Sequence, residues 1–355
     1  MHNALGIAWG ERVVCYGLFT ALSLLGVVLT SSVACGDNSI KVRFLSEAPA
    51  AWSQYVAAVS NYELKCQSVS LLSNSSDYAT RKETVESEYK WSREYKLDVK
   101  KTTSETKYKD KRPPTVESWG RAYCVTPAIS YFLRSENGAP WSIQYAGADA
   151  SQIVGYLELD EVQRRVLCVS TEMASDLVKD PTFVVASAEE RDQDGVPAVR
   201  ITFHHQIPKE KEFGVFGGSI DFAPAWNWVI LAYRVRCKEN RSDQQGKRTD
   251  EMRQHFRPPD SGCPVPLIQS DEFKTTFNDG RPVEYTETTE YTKFELREVP
   301  AAEFDMATFG VHTSLASSLS TFWRAVLYAA NGIVFLAVAV WLCRRYQKAW
   351  RGTAI

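Results

Sequence analysis

Histidine, cysteine and carboxylate side chains could do chemistry in this 355-residue chain, but their spacing argues against it. His204 and His205 are adjacent. On a strand, neighbouring side chains point to opposite faces, so these two cannot share an ion. His255 and His312 lie in polar segments with no partner in view. Cys66, Cys124, Cys168, Cys237 and Cys263 contain no CxxC pair, which argues against a zinc site. A nucleophilic Cys168 or Cys237 would need a base close in space. Small buried thiols are the simpler reading. There is no HExxH, GxSxG, P-loop or GxGxxG. Gly214–Gly218 (GVFGG) reads as a bend or bulge. Glu86 and Glu88, two apart, read as the wet face of a strand. The expectation is a protein that is not an enzyme, with no metal and no cofactor.

The elements that carry these residues read as mainly β. Net charge is −2 and aromatic residues make up 12% of the chain. Near-neutral charge gives no footprint for nucleic acid, and aromatics in short alternating runs suit strands. Trp52, Tyr55, Val56 and Val59 fall three or four apart, which predicts an amphipathic helix over 47–60. Period two begins at Tyr62, with Tyr62, Leu64 and Cys66 on one side. From Val85 to Lys100, Tyr89, Trp91, Tyr95 and Leu97 alternate with polar residues, broken only by Arg93. This predicts one strand with a packed face, as in antiparallel sheets. These four, with Trp141 from a later alternating run, are the candidate ligand-lining residues.

Lys100–Arg112 is basic and polar. It reads as a solvated hairpin tip rather than a contact for anionic lipid. Ser170 reads as the N-cap of a short helix over 171–179. Asp192–Gly195 marks a hairpin turn before an alternating strand with Val199, Ile201 and Phe203 facing in. Val229, Leu231, Tyr233, Val235 and Cys237 share a face, and Lys238–Gly262 reads mostly as a loop, with room for a short pairing around Met252–Phe256. The total is about nine or ten strands, with helices only near residues 50 and 175.

This order resembles the periplasmic lipoprotein-carrier family (LolA, LolB and RseB-type proteins). The matching stretches are the helix leading into Tyr62–Cys66, the strand around Trp91 and the short helix before Asp180–Phe183. The hairpin from Ser219–Phe222 to Trp228–Arg236 also matches. The resemblance spans residues 47–300 and is one of layout. It implies a strongly curved antiparallel half-barrel whose apolar concave face is plugged by helices and holds a lipid or a lipidated protein. The chain departs from the family in its longer charged stretch after Cys237 and in its C-terminus.

That C-terminus holds an apolar run, Ala325–Cys343. About twenty such residues span a bilayer as a helix. Arg344, Arg345 and Lys348 follow and argue for a cytoplasmic end. At the N-terminus Val13–Ala34 is uncharged, with Ser32-Val33-Ala34 before Cys35. This reads as a secretory signal, with an uncleaved anchor and a lipidated Cys35 as rivals. The expected layout is 1–35 signal, 36–300 extracytoplasmic β-rich domain, 301–321 tether, 322–343 transmembrane helix and 344–355 basic tail. Such a single-pass protein has the membrane as partner. It holds a lipid or lipidated ligand, or else works as a tethered interaction or sensor domain with a membrane-protein partner.

Overall fold

The computed structural model describes residues 38–311, apart from 75–77, 111, 155–160, 208–210, 212, 242–243, 262 and 278–283. The expected signal, membrane span and basic tail fall outside these residues. Among the described residues no helix is long and apolar enough to cross a membrane.

The described residues open with helix α1 over 38–58, nine residues longer at its start than the periodicity suggests. Phe44, Ala48, Trp52, Tyr55 and Val59 are all buried, and their spacing of three or four forms one stripe. Six strands follow as a meander: β1 (Asn61–Ser73), β2 (Tyr78–Ser92), β3 (Tyr95–Tyr108), β4 (Thr115–Val125), β5 (Ser130–Glu136) and β6 (Ser142–Gly147). Short elements come next: α2 (Ser151–Val154), α3 (Glu161–Leu167), the ribbon β7 (Cys168–Val169) and β8 (Glu172–Met173), then α4 (Ala174–Lys179). A second meander runs through β9 (Val184–Gln193), β10 (Val196–His204), β11 (Phe213–Ala223), β12 (Val229–Arg241), β13 (Gln244–Arg257), β14 (Leu267–Phe277) and β15 (Glu284–Glu295).

The two meanders join where β1 pairs with β15, giving one 13-stranded antiparallel sheet in the order β6-β5-β4-β3-β2-β1-β15-β14-β13-β12-β11-β10-β9. The sheet is open, with β6 and β9 at its edges. Its inner face is the one under α1, α3 and α4. The main core lies there, from Trp52, Tyr55, Val162, Val166 and Leu177 on the helices to Ile201, Phe203, Phe222 and Val235 on the strands. Each such side chain contributes about 1.5–3 kcal/mol by leaving water. A second layer covers the outer face of β2–β5. The Phe304 carbonyl accepts from the Tyr131 hydroxyl at 2.9 Å, and the Phe304 ring lies 5.3 Å from that of Tyr95. Beyond Phe304 a separate unit begins. Its described part is a 3-10 turn, Met306–Phe309, capped by the Asp305 carboxylate accepting from the Ala307 amide at 2.9 Å.

Several expectations are corrected. The strand expected over 85–100 is a hairpin: Ser92 pairs with Tyr95 around Arg93-Glu94, with Arg93 at φ 53°. A tight turn without glycine left no sequence mark. Basic Lys100–Tyr108 is strand, and so are Lys238–Arg241 and Gln244–Arg257. These stretches lack the apolar alternation that marks a strand, yet long neighbours supply their ladders. Ser170 is no N-cap: it sits at φ 57° in the β7–β8 turn, and α4 begins four residues later with Met173 at its N-cap. The bend or bulge expected at Gly214–Gly218 is present: the β11–β12 register shifts between Val215 and Gly217, and Gly217 and Gly218 sit at φ 145° and 150°, where a Cβ would run into the Phe203 and Arg234 carbonyls. Two strands can approach there only because both residues are glycine.

Candidate functional site

The hairpin at Arg93-Glu94 separates the candidate lining residues. Tyr89 pairs with Asp98 and Trp91 with Lys96, so Tyr89 and Trp91 face inward. Leu97 pairs with Lys90, which puts Tyr95 and Leu97 on the outer face. The expectation that all four share a face is therefore corrected: a two-residue turn reverses the parity of the second strand. Leu97 is buried, and Tyr95 packs on Phe304. Trp141 lies over Gly120 on the outer face as well, 2.7 Å from where a Cβ at position 120 would stand. Inside, Tyr89 is buried and Trp91 is half-buried, with its ring stacked on Tyr62 at 6.4 Å and 4° and the Lys96 ammonium 4.3 Å from its centroid.

Around Tyr89 and the neighbouring strands the inner face turns polar. Ser68, Ser70, Ser87, Thr102, Ser104 and Thr289 are all buried there. Onto this surface α3 sets two arginines. Arg164 grips the buried Glu161 carboxylate at 2.6–2.9 Å. Arg165 reaches Glu161 at 2.8 Å, Glu287 at 3.0 Å and Asp271 at 3.4 Å. The Tyr291 hydroxyl donates to the far oxygen of Asp271 at 2.6 Å. Burial alone would raise the Glu161 carboxyl; Arg164, Arg165 and Lys100 outweigh it and hold the group at about 2. Burial raises Asp271, with Arg165 opposing.

The β7–β8 turn is staked down in the same way. Asp250 is fully buried and accepts from Ser170 at 2.6 Å, Thr275 at 2.9 Å and Arg248 at 3.1 Å. The segment 161–179 thus covers the inner face through two buried carboxylate clusters in addition to its apolar side chains.

One buried acid is unbalanced. Asp98, on β3, is 6% exposed; its Oδ2 faces the Lys100 ammonium at 3.2 Å, while Oδ1 has no hydrogen-bond partner. Burial raises its carboxyl to about 6, Glu161 pushes the same way, and Lys100 opposes. Sequence reasoning missed Asp98, Glu161 and Arg165. An acid on a strand or short helix reads as solvent-facing until its neighbours are known.

The cysteines among the described residues are buried and form no disulfide with one another. Burial pushes the thiols of Cys66, Cys168 and Cys237 up to about 12, so they are poor nucleophiles at neutral pH. His205 is buried and its Nδ1 lies 2.8 Å from the Val215 carbonyl, while His204 is exposed and on the opposite side of the strand end. Among the described residues no group of three His, Cys, Asp or Glu side chains could hold a metal ion. On the outer face, a groove of about 660 Å³ crosses β9–β15. Its charges alternate in register: Arg200 opposes Asp221, Arg234 opposes Glu251, and Arg253 opposes Glu272.

No protein-family model and no curated protein matches the chain. Among solved structures, it is similar to a DUF1329 family protein from Desulfovibrio piger at 7% identity and TM-score 0.32, over 74% of this chain and 99% of that one. It is also similar to LprF from Mycobacterium bovis at 8% identity and TM-score 0.23, over 72% of this chain and 93% of that one. At these scores neither likeness decides the fold or the function of this chain.

Proposed function

We propose that this protein is a non-catalytic, membrane-anchored binding domain that holds a lipid or a lipidated ligand on the inner face of its sheet, with segment 161–179 as a removable cover. The observation that carries the reading is how the inner face is covered. Helices and a two-residue-strand ribbon lie over it, and no ladder of the 13-stranded sheet runs through them. The cover can therefore lift without breaking a sheet hydrogen bond, baring Tyr89, Trp91 and the core behind them. A half-barrel curvature fits this reading, since open antiparallel sheets of more than about ten strands curl. Anchoring rests on the apolar run Ala325–Cys343.

Native mass spectrometry on the full-length chain, purified in detergent, tests the proposal. A co-purifying mass that extracts into organic solvent, together with faster amide exchange at 161–179 when an acyl-chain probe binds, is the expected result. A clean apo mass and no uptake of the probe would overturn it.

A tethered interaction module is the second reading, and one observation favours it. Edge strand β6 (SIQYAG) carries no charge and is largely exposed, whereas edge strand β9 carries Glu189, Glu190, Arg191 and Asp192. Charge on an edge blocks strand addition, and β6 has none. Site-specific photo-crosslinking from Gln144 would capture a partner under this reading and nothing under the first.

A further inference from the structure

Cross-strand register places cations side by side on the inner face. Lys100 on β3 pairs directly with Arg121 on β4, and Arg121 pairs with Arg134 on β5. Directly opposed residues share a face with Cα atoms about 4.5–5.5 Å apart. The face is the inner one, because Asp98 and Lys100 stand two apart on β3 and both face Glu161 of α3. Arg121 and Arg134 are exposed. Lys100 is tied to Asp98 at 3.2 Å and Arg134 to Glu136 at 2.6 Å. Arg121, between them, has no acidic partner among the described residues. Like charges directly opposite one another destabilise a sheet. The opposed cations Lys65 and Lys293 share the Glu63 carboxylate, at 3.7 and 2.8 Å, and the outer groove sets each arginine against an acid. The row of three cations lies two residues along from Tyr89, Asp98, Tyr123 and Phe132, which pair across the same four strands; Tyr123 and Phe132 stack there and pack with Ile153 of α2. Arg164 of α3 stands over the inner end, facing the same Glu161 as Lys100.

We propose that Lys100, Arg121 and Arg134 bind the anionic headgroup of the ligand, a phosphate or sulfate ester. Arg121 is the specificity-determining residue, since its guanidinium is free to take two oxygens of one group. This inference names the chemistry of the ligand and rests on the reading of the inner face as a binding surface. A phosphate source can be a lipid headgroup or a free anion, and the two separate experimentally.

Isothermal titration of the full-length chain in a non-ionic detergent, with inorganic phosphate and with dihexanoyl phosphatidylglycerol, makes the test. The wild type binds both, the lipid more tightly. Arg121→Gln weakens both about tenfold, as expected for one charge-assisted contact, and Lys82→Gln, an equal loss of charge on an exposed outer-face residue, weakens neither. If the lipid binds and Arg121→Gln leaves its affinity unchanged, or if Lys82→Gln weakens binding as much, the basic row is overturned while the acyl-chain reading stands. If phosphate binds through Arg121 and the lipid gains nothing over it, the row is a site for a free anion and the acyl-chain reading falls. Absence of binding by either overturns the row. Circular dichroism of Arg121→Gln matching the wild type ties the loss to the contact rather than to folding.

Discussion

The two halves of the sheet use their inner faces differently. From β9 to β12, with α1 above, the inner face is a conventional apolar core. Phe44, Phe222 and Trp228 lie with ring centroids 5.1–6.4 Å apart, and the Trp52 indole donates to the Trp228 carbonyl at 2.7 Å. From β14 through β1 to β4, the inner face carries hydroxyls and buried acids, and α3 is held there by arginines. The first half gains stability from area removed from water. The second gains little, because bringing charges out of water consumes most of what their attraction returns. Such an arrangement is sensitive to charge and pH where the first is not, and this half carries the proposed site.

The difference can be broken by substitution. Phe222→Ala in the apolar half should cost about 3–5 kcal/mol of global stability, read by denaturant unfolding. Arg165→Ala should cost about 3 kcal/mol by leaving Asp271 and Glu287 without their buried cation. Its effect is local: hydrogen exchange speeds up over 161–179 while β9–β12 stay protected. Uniform acceleration over the whole sheet would abolish the distinction between the halves.

Asp98→Asn should do the opposite and stabilise. The folded carboxyl sits at about 6, above its usual 3.8. Stability from this group is therefore full below about pH 4 and is lost as pH rises through about 6. At about 1.4 kcal/mol per pH unit, removing the charge gains about 2–3 kcal/mol at neutral pH and flattens that part of the profile. Unfolding midpoints at pH 4, 6 and 8 for both proteins check it, and a parallel pair of curves would show Asp98 to be innocent. Glu161, held at about 2, acts with the other sign: its contribution is present above about pH 4.5 and fades as pH falls through about 2. The smallest effect belongs to Glu47→Ala on α1. Loss of its exposed contact with Arg43, 3.0 Å away one helical turn back, should cost less than about 0.5 kcal/mol. A larger loss would mean that charge also matters in the apolar half.

Legibility in the sequence follows the same division. Helix α1, strand β1 and the hairpin β9–β10 announce themselves, because one face of each meets an apolar core and the period shows. The turn Asp194-Gly195, at φ 57° and 84°, carries the residues such a turn requires. The second half of β3, from Lys100 on, and most of β13 read as loops, since those stretches are largely polar and no period marks them. Of the five candidate lining residues, Tyr89 and Trp91 lie on the inner face and Tyr95, Leu97 and Trp141 on the outer, because parity across a turn depends on the turn length.

By itself, the sequence determined that the chain is mainly β, that its strands pair antiparallel and that its aromatic residues sit in alternating runs. Period and turn chemistry are local, so local reading finds them. Tertiary structure alone decided that the two meanders share one sheet through β1 and β15. It also decided that α3 rests on buried carboxylates and that Lys100, Arg121 and Arg134 form one row. Those three cations are far apart along the chain, and only the register of two strand pairings brings them together.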